Sequence, residues 1–165
     1  MALRQARFKL HVLSQLAPAG DHSGGAIGET TIDESYGSGT GDRQADAELY
    51  DVRSLAASGS ETLNLQTILD ANGVALGAAE VVDFVITADP ANGDTLTIEP
   101  SAAEPWNDLL GAAGEHALKP GASLVLHSTQ DGDYPITAGN RQIDVTNDDG
   151  AAGASYTLHV IVRRS

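Results

Sequence analysis

Cysteine is absent from the 165 residues, which closes off both a disulfide framework and a thiolate metal site. Aromatic residues are scarce, 4% against 41% hydrophobic residues overall, so Val, Leu, Ile and Ala must fill most of any interior. No stretch approaches the roughly 18 consecutive apolar residues of a membrane span. The opening, Met1-Ala2-Leu3-Arg4-Gln5-Ala6-Arg7, lacks the apolar run of about 7–15 residues found in a signal peptide, which predicts a soluble cytosolic product. Basic residues are few as well. Nine Lys and Arg stand against 23 Asp and Glu, a net charge of −14. A surface of that sign repels the phosphates of nucleic acid and of anionic membranes.

The charge is unevenly placed. Five of the nine basic residues, Arg4, Arg7, Lys9, Arg163 and Arg164, sit at the two ends, and every acidic residue lies between Lys9 and Arg163. A solvated acidic surface explains the middle; basic ends could also grip an acidic neighbour, including another copy of the chain. Phe8, Leu10 and Val12 alternate with polar residues, as on a strand. From 17 to 42 the chain turns to Gly, Ser, Thr and acid, broken by Ile27, Ile32 and Tyr36, and reads as an extended arm or long loop with a weak strand near 29–34.

Period-two patterning strengthens from Ala45. Strand-like runs follow at 45–55, 61–65, 95–99, 123–127, 142–146 and 155–162, with a β-branched run at 81–86 that reads as a central strand, and Gly, Pro, Asp and Asn turns separate them. Thr67–Gly73 suggests a short helical turn closed by Asn-Gly, and Lys119-Pro120-Gly121 suits a type II turn. The last two runs predict a hairpin across 147–154. The fold expected is all-β: an antiparallel β-sandwich or jelly-roll-like barrel spanning 43–165, behind an N-terminal strand and extended arm over 1–42.

Motifs that would carry chemistry are missing. No two of His11, His22, His116, His127 and His159 have metal-ligand spacing. Gly20-Asp21-His22-Ser23-Gly24-Gly25 superficially looks like a serine-protease nucleophile loop, but His22 breaks the spacing and nothing rigid supplies a base. Asp131/Asp133 and Asp148/Asp149 suit turns without any calcium ion. Gly111-Ala112-Ala113-Gly114 has no strand–helix context for a phosphate. Trp106 reads first as a plug for the sandwich and second as a stacking platform. We therefore expect no catalytic residue, no metal and no cofactor.

The run from Ala45-Asp46-Ala47-Glu48-Leu49-Tyr50 through Arg53-Ser54-Leu55-Ala56-Ala57-Ser58 to Leu63-Asn64-Leu65 is followed by Ile68-Leu69-Asp70-Ala71-Asn72-Gly73. Lys119-Pro120-Gly121, Gly132-Asp133-Tyr134-Pro135-Ile136-Thr137-Ala138-Gly139 and Ala154-Ser155-Tyr156-Thr157-Leu158-His159-Val160-Ile161-Val162 come after it. In this order, over about residues 41–163, the chain resembles small virion structural proteins of tailed bacteriophages and prophages, head-decoration or cement-like. It departs from them at 99–104, where a Gly-Gly-Ala turn is usual, and at Asn64, where Asp is usual.

The resemblance implies a capsid decoration protein, synthesised in the host cytoplasm and carried on the capsid surface, that binds the assembled head and bridges its subunits. Its partners would be the major capsid protein and other copies of itself, in a homotrimer by capsid geometry, with neither nucleic acid nor membrane. A neck, tail or spike-base component and a carbohydrate-binding β-sandwich module are the alternatives. For partner binding we expect Arg4, Arg7 and Lys9 on the arm. On the body we expect Tyr50, Arg53 and Trp106, because interfaces favour aromatics and Arg.

Overall fold

A computed structural model describes residues 6–15, 27–70 and 72–164. The protein is an antiparallel β-sandwich with a long ribbon at its N-terminal side. The ribbon pairs β1 (Ala6–Gln15) with β2 (Ile27–Ser38), and two residues of β2 run parallel to the short β3 (Gln44–Ala45). Within the stretch expected as an extended arm or long loop with a weak strand near 29–34, residues 27–38 form a twelve-residue strand, and its part at 17–26 lies outside the described residues. The strand's low apolar content suffices because β1 satisfies its main chain in ten consecutive pairs, from Ala6↔Tyr36 to Gln15↔Ile27.

The body comprises β4 (Ala47–Leu55), β5 (Ser60–Asn64), β6 (Ala78–Ala88), β7 (Leu96–Pro100), α1 (Asn107–Leu110), β8 (His116–Leu118), β9 (Ser123–His127), β10 (Gln142–Asn147) and β11 (Ala154–Arg164). One sheet has the order β4-β11-β6-β9, the other β5-β10-β7-β8. Pairing is nested: the first body strand lies beside the last, the second beside the seventh, the third beside the sixth, the fourth beside the fifth. The hairpin expected of the last two strands is overturned. β10 pairs with β5 and β7, while β11 pairs with β4 and β6. The 148–153 connection is an arch from one sheet to the other, and alternation, which fixes a strand's faces, is silent about its neighbours.

Period two decides which side chains enter the core. Along β4, Ala47, Leu49 and Leu55 are buried while Tyr50 and Val52 face solvent. Across the interior, Leu63, Leu96, Ile98, Ile143 and Val145 of one sheet meet Phe84, Ile86, Tyr156, Leu158 and Val160 of the other. Trp106 precedes the single-turn helix α1 and packs edge-on to Phe84, ring centroids 5.7 Å apart. The type II turn is present: Ala122 N–H donates to Lys119 C=O at 2.9 Å, and Gly121 takes a φ of 76° that suits glycine. At 67–73 a tight turn replaces the expected helical one, since the Asp70 carboxylate accepts from the N–H groups of Asn72 and Val74.

A bulge in β6 prepares the outer face. The register with β11 shifts between Ile161 and Val162, so that Val81 joins the sandwich core while its neighbour Val82 joins a second, smaller cluster under the ribbon.

Candidate functional site

The ribbon meets the body at one compact joint. Phe8 from β1 and Tyr36 from β2 are buried against Ala45, Val82 and Ile161, and the partly buried Leu10, Ile32 and Val85 extend the cluster. At about 3.4 Å per residue, ten pairs make a ribbon about 34 Å long. A two-stranded ribbon is marginal on its own, so this small apolar seat anchors it.

Beneath the apolar cover lies a polar group of three. Asp83 occupies the middle of the Val-Val-Asp-Phe-Val-Ile run of β6, directly opposite His127 of β9 in the register. Its Oδ1 is 2.5 Å from His127 Nδ1, and the Tyr36 hydroxyl is 3.2 Å from the same nitrogen. Phe8 stacks on the imidazole at 4.8 Å with the rings 14° apart. The Asp83 side chain is wholly buried, and its Oδ2 has no hydrogen-bond partner among the described residues. Burial pushes the Asp83 carboxyl above the usual carboxylate range, and the hydrogen bond from His127 draws it part of the way back. Burial, with the adjacent Asp83 charge, pushes the Tyr36 phenol far upward and keeps it neutral. A carboxylate in such a place is costly unless it is covered by groups that hydrogen-bond it. The joint is therefore polar and selective as well as apolar.

A second anchoring network closes the adjacent end of the sandwich. Arg163, which the charge pattern groups with the free basic ends, is buried. It donates to the carbonyls of Gln44, Thr129 and Gln130 and lies 2.7 Å from Glu80 Oε1. Glu80 in turn accepts from the Gly132 and Asp133 N–H groups. The pair floors an open depression of about 370 Å³ rimmed by Thr40, Asp131, Pro135 and Arg164. Arg164 is also engaged, with the carbonyls of Leu76 and Ala75. Basic residues at the C-terminal end hold the fold together and offer little charge to a partner.

The six residues expected to bind partners do not form one surface. Arg4 lies outside the described residues. Arg7 clasps Asp33 across the ribbon with two hydrogen bonds, of 2.7 and 2.6 Å, and Lys9 stands 4.0 Å from the same carboxylate. Arg7's hydrogen bonds hold the Asp33 carboxyl below its usual range. Both basic side chains remain exposed on the ribbon. Tyr50 is exposed on the outer face of β4, edge-on to His159 at 6.1 Å. Arg53, on the same strand, is turned to Glu61 of the other sheet at 2.5 Å, and Glu61 also accepts from the Tyr156 hydroxyl at 2.6 Å. Trp106 must be corrected: at 0% exposure it is a core residue and has no face for a partner or a sugar.

The sequence marks Phe8, Leu10, Ile32 and Tyr36 as apolar positions but not their meeting with Asp83 and His127. An acidic residue inside a β-branched run was the available signal for Asp83, and its partner His127 needed the register. Among the described residues no group of three or more His, Cys, Asp or Glu is placed to hold a metal ion, and no helix is long and apolar enough to cross a membrane. No protein family, curated protein or solved structure matches the chain.

Proposed function

We propose that the protein decorates a bacteriophage capsid, resting its sandwich on the assembled head and laying its ribbon across the joints between subunits. The ribbon is the observation that carries this reading. Its outer strand β1 pairs only with β2 among the described residues, so one edge of a ten-residue strand offers main-chain donors and acceptors. A free edge of that length is a template for strand addition to another protein.

The body supports the same reading by analogy of fold. We read the nested strand order as that of a jelly roll, an architecture recurrent in viral capsid domains and in lectins. A decoration protein needs no strong single contact. Repetition over a lattice multiplies weak contacts into firm attachment without any new interaction. The net charge of −14 keeps copies soluble and steers them away from nucleic acid. Partners on this reading are the major capsid protein and further copies of the chain, and the site is the virion surface.

The test separates arm from body. Replacing residues 11–31 with Asn-Gly links the paired Leu10 and Ile32 through a two-residue turn and leaves Phe8 and Tyr36 seated. This shortened protein is expected to fold as before and to lose at least about tenfold of its occupancy on purified phage heads. Equal occupancy, or absence of the natural chain from mass spectra of purified particles, would overturn the proposal.

A further inference from the structure

We infer that the seat beneath the ribbon is an exchangeable docking surface, and that its second occupant is the ribbon of another copy of this chain. The ribbon is N-terminal and reaches the body through one covalent connection, Gly39-Thr40-Gly41-Asp42-Arg43, between β2 and β3. Two glycines in that stretch make it a natural hinge. Two of its residues sit in unusual backbone regions, Gly39 with φ 142° and the non-glycine Arg43 with φ 56°. Strain in a short hinge favours opening it.

The Glu34–Arg43 ion pair and the Gly37 N–H bond to Arg43 C=O involve the connection itself and break when it opens, but the contacts that seat the ribbon on the body are portable. Arg7 and Lys9 are satisfied by Asp33 within the ribbon and travel with it. Phe8, Leu10, Ile32 and Tyr36 then meet Val82, Val85, Asp83, His127 and Ile161. None of those seat residues belongs to the hinge, so a ribbon arriving from a neighbour makes the same stack on His127 and the same approach of the Tyr36 hydroxyl. The occupant is specified by the seat itself, which buries a carboxylate that only a correctly placed aromatic cover closes over. An empty seat would expose Val82 and Ile161 to water, whereas exchange in a closed ring of two or three copies fills every seat. The inference concerns the protein in solution and stands or falls independently of any capsid.

The decisive experiment mixes light and ¹⁵N-labelled chains carrying Phe8→p-benzoylphenylalanine, unfolds and refolds them together at about 0.5 mM, and irradiates them. Cross-links from position 8 to peptides holding Val82, His127 or Ile161 are expected, about half of them joining a light chain to a heavy one. Cross-links confined to chains of one isotope overturn the inference. Light scattering on the unlabelled protein decides the matter should the photoreactive chain not fold. Deletion of residues 39–41 is expected to raise the oligomeric fraction at least tenfold at fixed concentration. A single-chain mass before and after the deletion overturns the inference equally.

Discussion

Asp83 is the residue whose chemistry most directly governs the joint. Its carboxyl titrates higher in the folded protein than in the unfolded chain, chiefly because it is buried. A raised folded value means that its contribution is fully favourable below the unfolded carboxylate range and is lost as pH rises through the folded titration. The titratable groups that act on it are Tyr36 on β2, His127 on β9 and His159 on β11, while Glu34 on β2 and Arg163 on β11 act on Tyr36. Three of these have partners of their own, Glu34 with Arg43, His159 with Glu48 and Arg163 with Glu80. Asp83→Asn removes the titrating proton while keeping an oxygen for His127. Its stability relative to the unsubstituted protein should therefore rise as pH is raised above the unfolded carboxylate range, by no more than about 1.4 kcal/mol per pH unit, one proton's worth. Urea titrations at several pH values measure this, and a difference that is flat with pH sinks it. Trp106 shows the opposite case of legibility. A lone Trp in a chain poor in aromatics is bound to be important, but only packing tells core from contact.

Between elements, the Arg163–Glu80 pair joins β11 and β6 to β3 and to the loop at 128–133. Arg163→Met leaves the Glu80 charge buried and three carbonyls short of a donor, and should cost about 3–5 kcal/mol. Adding Glu80→Gln removes the stranded charge while retaining an acceptor for Gly132 and Asp133, so the double variant should recover at least about 1 kcal/mol. Chemical denaturation of both variants is the check, and a double variant no more stable than the single one would refute the pairing. At this scale the sequence was readable wherever alternation was clean. The strands, their inward faces and the 119–122 turn follow from period two and from Pro-Gly geometry. Neighbours were not readable. β10 and β11 are adjacent in the chain and both alternate, and only the twist and closure of two packed sheets send them to different partners. The ribbon was under-read for a related reason: a polar strand whose main chain is satisfied by its partner needs only a few apolar anchors.

For the molecule as a whole, 23 acidic residues against nine basic ones impose self-repulsion on the compact state. Exposed pairs such as Arg7–Asp33 and Arg43–Glu34 offset little of it. Raising salt from about 0.02 to 0.5 M shortens the Debye length from roughly 20 Å to under 5 Å, and should raise Tm by a few degrees. A fall in Tm over that range, followed calorimetrically, would mean that attractive pairs outweigh the repulsion.

The nested strand order also sets a timetable for biosynthesis. β11 leaves the ribosome after every other described strand, yet it occupies an inner position between β4 and β6. The sheet cannot close until residues 154–164 have emerged, so the long-range pairings of β4 and β6 with β11 wait for that segment. Folding is thereby slowed, and nascent chains carry unpaired edges of β4 and β6 until β11 emerges.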